Sequence, residues 1–586
     1  MFDCKTMWAR PLAGLGVLLC VFLSGTIGPA WAQAIPAQDL PTIEKQQNRI
    51  QDRHTDDIQI RKEQRRESID TPPNGMETPK VEVPAGLEGG ACVDITAFDV
   101  QGAELIPSDV LNLFTAEYKD KCLTLEQINT LLADISNWYM DRGYITTRAY
   151  LPPQDLTKGN LEIVVIEGRT ESIEFVPARD PRMRLSTAFP NLSGKRLNIR
   201  DLEQGLDQIN RLPSNNAKLE LEPGSKTGQT KVQIENQPGQ RVRFTGTEDN
   251  TGSRSTGSRQ RTIEMDADDI FGMNDLWSVS HKANPRNFDG QRSKTVSGSV
   301  SIPYGYWTFE YSDSYFEYAS TIQATTSSYE STGISRTQAF TTERVVHRDQ
   351  DSKTSLEGVL TLKEARNYIA GTLLDSSSRR LSIAGLTARH STKLWGGSMS
   401  AALGYERGLR AFGAKKDHEH VSGEARAQFQ KLTSDLSYAH GFKLLEQDLS
   451  ASLSASGQWA PGVLFSSERF SIGGLSSVRG FKEETLSGDV GGYIRSELAW
   501  LLPLTKLTYV DKFLGSLSPY GAADMGWIQA DPIEDGEGGV LAGGTLGLRA
   551  SGGFLTFDVS WAIPLKRHHS ITPQGRELYT SVSVNF

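Results

Sequence analysis

The chain ends Leu578-Tyr579-Thr580-Ser581-Val582-Ser583-Val584-Asn585-Phe586, LYTSVSVNF. Side chains of an extended strand point alternately to its two faces. Leu578, Val582, Val584 and Phe586 therefore share one face, and Tyr579, Ser581, Ser583 and Asn585 the other. A strand with one greasy face that finishes on an aromatic suits the closing strand of an outer-membrane barrel, whose lipid side carries aromatic girdles. An edge strand of a soluble sheet alternates in the same way, so the rest of the chain has to decide.

From Gly239 onward the same alternation repeats. Val296, Gly298, Val300 and Ile302 face away from Thr295, Ser297, Ser299 and Ser301. Leu449, Ala451, Leu453 and Ala455 oppose Ser450, Ser452, Ser454 and Ser456. Leu555, Phe557, Val559, Trp561 and Ile563 oppose Thr556, Asp558 and Ser560. The second set is small or charged rather than core-forming, which a water-filled lumen tolerates. Residues 239–586 are therefore read as a transmembrane antiparallel β-barrel. Sixteen strands would leave roughly 22 residues for each span and its connection, enough for a span of about ten residues.

Composition agrees with export. The balance is acidic, 62 Lys and Arg against 71 Asp and Glu, which argues against a general nucleic-acid binder. Mean hydropathy is −0.39, too low for a helical membrane protein. The one long apolar run, Leu12 to Ile27, follows Lys5 and Arg10 and precedes Ala30-Trp31-Ala32. That is the pattern of a secretory signal peptide over 1–32, with Gln33 as first mature residue. Cleavage leaves Cys92 and Cys122. An even count in an exported chain reads as one disulfide. It would close about 30 residues and contribute roughly 3–4 kcal/mol in the chain-entropy account. A metal site there would need further His or Cys ligands nearby, and the sequence has none.

Residues 33–67 are polar and rich in helix formers, but Ile43, Ile50, Ile58 and Ile60 do not form a continuous stripe. A helix polar all round is solvated or sits in a wet channel. Residues 68–90, rich in proline and glycine, read as an extended linker. Residues 91–168 read as a small α+β module. A strand runs from Ile95 to Gln101, Ser108 caps a short helix, and Thr124 with Gln127 forms a capping box for a helix ending at Arg142. Strands Tyr144 to Leu151 and Leu161 to Glu167 follow. Residues 169–238 repeat the order strand, helix, helix, strand, strand, with Asn198 as a helix cap.

No phosphate-binding loop, helical zinc pair, nucleophile elbow or dinucleotide loop is found. His418, His420, His568 and His569 lie in charged loops and read as surface residues. The chain is thus read as no enzyme, with no cofactor and no metal. One stretch does stand out, Phe470-Ser471-Ile472-Gly473-Gly474-Leu475-Ser476-Ser477-Val478-Arg479-Gly480-Phe481. It is glycine-flanked and carries a single arginine at its tip.

This run resembles the outer-membrane transporters of two-partner secretion, the hemolysin secretion/activation family. The resemblance joins FSIGGLSSVRGF, two POTRA-like (polypeptide-transport-associated) modules, a terminal Phe586 and a polar N-terminal helix, in that family's order. It implies a 16-stranded barrel, two periplasmic modules, a plug helix and an outer loop around 470–493 folded back into the lumen. It also implies that the tip Val478, Arg479, Gly480 and Phe481 meets an aspartate of a Phe/Gly-x-Asp-x-Gly motif on the wall. Asp524 and Gly526 match, and Ala522 departs from the expected first residue. The pairing makes physical sense: a loop in a wet lumen has no hydrophobic reason to stay in place, whereas a bidentate guanidinium–carboxylate pair fixes position and orientation.

By the same resemblance the protein sits in the outer membrane of a Gram-negative bacterium. It would pass an unfolded partner exoprotein (a hemolysin, adhesin or contact-dependent toxin) to the cell surface, engaging the partner through its N-terminal secretion domain. Further contacts implied are outer-membrane lipid and the barrel-assembly machinery. The competing readings are a barrel-assembly or insertion factor of the same superfamily and a passive diffusion porin.

Overall fold

The computed structural model describes residues 92–586 apart from 177–183, 286–290, 325–326, 418–422, 503–511, 531–537 and 574, and parts of 36–58 and 72–83. The expected signal peptide 1–32, residues 59–71 and 84–91, and His418 and His420 lie outside the described residues. Helix α1 covers the described positions from 40 to 58.

The first module contains β1 (Val93–Ile95), β2 (Ala97–Gln101), α2 (Ser108–Ala116), β3 (Lys121–Leu123), α3 (Leu125–Asp141), β4 (Arg148–Tyr150) and β5 (Asn160–Ile166). The Thr124 side chain accepts from the Gln127 amide and Gln127 reaches back, so the capping box forms. One face of α3, with Ile128, Leu131, Ile135 and Tyr139, packs on Leu161, Ile163 and Val165 of β5. The sheet order is β2-β5-β4, with β2 and β5 parallel. A separate β1–β3 pair carries the Cys92–Cys122 disulfide, Cα atoms 5.2 Å apart.

Three local expectations need correction. The strand read from Ile95 to Gln101 breaks at Thr96, because the amides of Thr96 and Ala97 both donate to the Gly159 carbonyl. Ser108 is the first helical residue and makes no cap bond; Pro107 occupies the cap position. The strand read from Tyr144 to Leu151 shrinks to Arg148–Tyr150, because Gly143, at φ +88°, turns the chain and residues 144–147 close that turn.

The second module comprises β6 (Arg169–Phe175), α4 (Leu185–Ala188), α5 (Ile199–Asn210), β7 (Lys218–Pro223) and β8 (Gln229–Glu235). Its sheet order is β6-β8-β7, again one parallel and one antiparallel pairing. Asn198 caps α5 through the Arg200 amide.

The barrel begins with β9 (Val242–Asp249), β10 (Gln260–Asp268), β11 (Leu276–Ala283), β12 (Arg292–Tyr304), β13 (Trp307–Gln323), β14 (Ser328–Arg348) and β15 (Ser352–Ile369). After the short β16 (Thr372–Leu373) come β17 (Arg379–Leu394), β18 (Gly397–Gly408), β19 (Gln430–Leu444) and β20 (Gln447–Trp459). Two loop strands, β21 (Phe470–Ile472) and β22 (Leu486–Gly488), precede β23 (Gly491–Leu501), β24 (Gly515–Ile528), β25 (Gly539–Gly552), β26 (Leu555–Lys566) and β27 (Glu577–Asn585). With β16 counted as an extension of its hairpin, sixteen antiparallel strands close where β27 pairs with β9.

Burial is inverted relative to a soluble domain. Leu546, Ile263 and Leu403 are 70%, 64% and 62% exposed on the outer wall. Inside, serine and threonine hydroxyls such as Ser278, Thr295, Ser331 and Ser560 are buried. Leaving each large apolar side chain in water forgoes about 1.5–3 kcal/mol, so the outer belt needs lipid around it. Leu578 and Val582 of β27 and the following Phe586 are exposed and Tyr579 is buried, the two faces read from the sequence.

The two ends differ. Connections at one end are tight, as from Tyr304 to Trp307 and from Leu394 to Gly397; at the other they are long, as from Gly408 to Gln430 and from Trp459 to Gly491. The second module docks on the tight end. Gln208 Nε2 donates to the Gly305 carbonyl at 3.0 Å, Arg211 Nη2 to Asn274 O at 2.7 Å, and Arg348 Nη1 to Asp207 at 2.6 Å. A linker residue passes the same place, with the Gly75 amide on Gln350 O at 3.0 Å.

Candidate functional site: the inward loop and the helix in the lumen

The connection between β20 and β23 folds into the barrel. Gly473 and Gly474 have φ of +119° and +94°, and Gly480 has +99°, backbone that L side chains rarely adopt. These residues bring the tip against β24 and β25. Two wall glycines make room for it: a Cβ on Gly543 would collide with the Arg479 carbonyl oxygen, and one on Gly526 would lie 3.0 Å from both Ile472 and Val478.

The structure brings Arg479 and Asp524 together. Arg479 Nε donates to Asp524 Oδ2 at 2.6 Å and Nη2 to Oδ1 at 2.7 Å, while the Arg479 backbone amide adds a third bond to Oδ2 at 3.1 Å. Both side chains are buried, at 3% and 0% exposure. The alternation of β24 aims Asp524, Gly526 and Ile528 inward, with Met525 and Trp527 outward. Ala522 shares that inward face and is the register partner of Glu497.

Four wall residues that sequence reasoning missed complete the network. Glu497 accepts from Arg479 Nη1 at 3.2 Å and from Arg549 Nη1 at 3.0 Å. Arg549 also reaches Asp558 at 2.8 Å. Arg495 donates to the Ser476 carbonyl at 2.9 Å and lies 3.8 Å from Asp524. Three guanidiniums and three carboxylates thus share one patch of wall, which offsets their desolvation. The available signal was Arg495 and Glu497 two apart in a strand whose other face is Ile494, Leu498 and Trp500.

The expectation that the loop lacks a hydrophobic hold is wrong. Val478 and Phe481 are fully buried, in a cluster with Ile472, Leu486, Ile528, Leu541 and Ile571. Ile528 and Leu541 are inward wall residues, so the lumen face is locally core-forming here. The tip is held by apolar packing and by charge together.

Helix α1 lies in the lumen against β13, β14 and β15. Ile43 packs on Ile322 and Ile369, and Ile50 on Phe316 and Tyr318. Gln47 Nε2 donates to Ser331 Oγ at 2.9 Å and its Oε1 accepts from Ser377 Oγ at 2.9 Å. Gln51 Nε2 donates to Asn367 Oδ1 at 2.9 Å, and His54 stacks on Phe316 at 4.2 Å. Ile43, Gln47, Ile50, Gln51 and His54 share one helical face. Three of the five are polar, Gln47, Gln51 and His54, which is why apolar spacing alone missed the face. On another side Arg53 Nη2 donates to the Lys482 carbonyl at 2.6 Å, so helix and loop touch.

The other residues singled out lie elsewhere. Phe586 sits at the barrel seam, its backbone paired both ways with Phe244 and its ring edge-on to Phe554 at 5.3 Å. Cys92 and Cys122 belong to the first module.

Comparison with known proteins matches this geometry. The model of the haemolysin secretion/activation protein family ShlB/FhaC/HecB matches residues 228–550. A ShlB-type POTRA domain matches 93–168 and a further POTRA domain 169–223. The outer membrane transporter CdiB of Dickeya dadantii (strain 3937) is 35% identical over 94% of this chain and 95% of its own. The hemolysin transporter protein ShlB of Serratia marcescens is 30% identical, covering 83% and 85%. The solved structure of CdiB from Escherichia coli superposes with a TM-score of 0.82 at 31% identity, covering 95% of this chain and all of that one.

Proposed function

The chain belongs to the haemolysin secretion/activation family ShlB/FhaC/HecB, and from that membership we propose how its lumen carries cargo. It is an outer-membrane transporter of two-partner secretion, with POTRA modules in the periplasm and an exported exoprotein as partner. The family is one of transporters rather than an enzyme class, and the mechanism needs no catalytic step in this chain.

In the mechanism proposed here the partner's N-terminal secretion domain first meets the modules. Their sheet edges, β4 and β7, can accept an extended segment as an added strand through main-chain bonds with little sequence demand. Helix α1 then leaves the lumen and an unfolded chain passes through, with folding of the partner outside giving direction. Arg479 and Asp524 hold the inward loop in register with the wall in the resting state from which this cycle starts. Residues 33–67 act as plug, 68–90 as the slack that lets it leave, 91–168 and 169–238 as receptor modules, and 239–586 as conduit. The cargo is a hemolysin, adhesin or contact-dependent toxin, the hemolysin reading resting on similarity to the Serratia hemolysin transporter. Outer-membrane lipid surrounds the belt, and the barrel-assembly machinery inserts it.

One observation carries the reading: α1 lies inside the barrel against β13, β14 and β15, held by side-chain amide and hydroxyl bonds as well as by Ile43 and Ile50, contacts that can all be broken and remade. The test joins Gln47→Cys to Ser331→Cys, at positions whose native side-chain tips meet at 2.9 Å, with a short bis-methanethiosulfonate that spans the gap left by the shorter cysteines and is released by reductant. Cross-linking should stop export of a co-expressed partner and reduction restore it. Full export through the cross-linked protein would overturn the mechanism.

A further inference from the structure

The inward loop has a second charged attachment, on the opposite limb from Arg479. The short 3-10 turn Ser466–Glu468 leads from β20 towards β21. The Glu468 carboxylate is fully buried, and each of its oxygens faces a lysine of a different wall strand. Lys363 of β15 donates to Oε1 at 2.7 Å and Lys431 of β19 to Oε2 at 3.3 Å. Lys431 also pairs with Glu406 of β18 at 3.3 Å, so two cations and two anions balance. The Glu468 carbonyl accepts from Gln458 Nε2 of β20 at 3.0 Å. Arg479, by contrast, is held by β23 and β24.

The same turn touches the helix. Ser466 Oγ donates to Asn48 Oδ1 of α1 at 2.9 Å, and Arg379 Nη2 donates to Ser466 Oγ at 2.9 Å. Around it, Ala460, Leu464 and Phe465 pack on Leu381 and Ile383 of β17. One three-residue turn therefore joins the loop, the wall and α1.

We infer that Glu468 is a positioning residue of the transport cycle: it latches the entering limb of the inward loop to β15 and β19, so the loop frees itself only when this latch and the Arg479–Asp524 pair both open. A carboxylate bonded to two ammoniums cannot be replaced by an amide, which bears no charge and leaves the partly buried Lys363 and the buried Lys431 with Glu406 as the one remaining anion of the cluster. The purpose assigned to the latch rests on the transporter reading; its existence does not.

Ala460→Cys supplies a reporter, because Ala460 is buried at the base of the loop. The full-length protein in outer-membrane vesicles is labelled with a membrane-impermeant maleimide, and Ala562→Cys, buried on the wall, serves as control. Glu468→Gln should raise the labelling rate at 460 on the order of 10- to 100-fold, the scale of a lost charged hydrogen-bond pair, and leave 562 unchanged. Glu468→Asp should restore part of the protection, since the charge remains. If Glu468→Gln fails to give the folded, heat-modifiable barrel, Lys363→Met carries the same expectation. Wild-type labelling at 460, or equal rises at 460 and 562, overturns the latch. A changed rate at 460 with undiminished export would keep the latch and refute the transport role of the loop instead.

Discussion

Arg479→Ala is expected to abolish export while leaving the barrel inserted. The magnitude follows from what each side of the pair loses. Asp524 is fully buried, and without the guanidinium it keeps the Arg479 backbone amide and a distant Arg495 at 3.8 Å. Removing one partner of a buried ion pair costs about 3–5 kcal/mol. The docked tip retains the burial of Val478 and Phe481, together about 3–6 kcal/mol. Charge and packing are thus of similar size, and loss of the first lowers the ratio of docked to undocked loop by roughly 10²- to 10⁴-fold. The assay has two arms: export of a co-expressed partner, and heat-modifiable migration of the purified barrel. Arg479→Lys keeps the charge but not the fork, and should fall between wild type and alanine. Wild-type export by Arg479→Ala, with the barrel folded, would refute the reasoning, since it would mean apolar packing alone positions the loop.

Gly543→Ala should act on the same contact from the wall side. Its Cβ would overlap the Arg479 carbonyl, so the tip must shift at a cost of about 1–3 kcal/mol, read as reduced export with unchanged barrel stability. Deleting residues 33–67 should raise single-channel conductance in planar bilayers; unchanged conductance would count against α1 as a plug. Cys92→Ser should destabilise the first module by roughly 3–4 kcal/mol and spare the barrel. Limited proteolysis with and without reductant checks this, and equal resistance would contradict it.

The barrel was legible because its signal is repeated: several strands alternate, and LYTSVSVNF put Leu578, Val582 and Phe586 on the side the structure exposes. Asp524 was legible through its spacing to Gly526 and its family context. Glu497, Arg549 and Glu468 were not, because each acquires its role from strands that lie tens to more than a hundred residues away in the chain, and nothing local marks a charged residue as buried. Helix α1 hid its contact face for a different reason. Gln47, Gln51 and His54 count as polar in any periodicity, yet against a hydroxyl- and amide-lined wall they are the matching surface. The shortened β4 shows the limit of strand spacing near a glycine, since Gly143 at φ +88° turns residues that alternate well enough to pass for a strand.

The serine and threonine coating of the inner wall has a consequence for motion. On the proposed mechanism, a polypeptide sliding past once α1 and the loop had moved aside would meet short hydroxyls such as Ser278, Thr295 and Ser560 between the apolar patches at Phe316, Ile322, Ile369, Ile528 and Leu541 and the charged patch at Glu497. Each hydroxyl can give or take a hydrogen bond and rotates to suit. A passing backbone can therefore hand its bonds from one hydroxyl to the next, with water filling in, and never settles into a deep well. The hydroxyl-lined stretches would thus offer low friction to any sequence, and discrimination among cargoes would fall to the entrance and to the charged and apolar patches between those stretches.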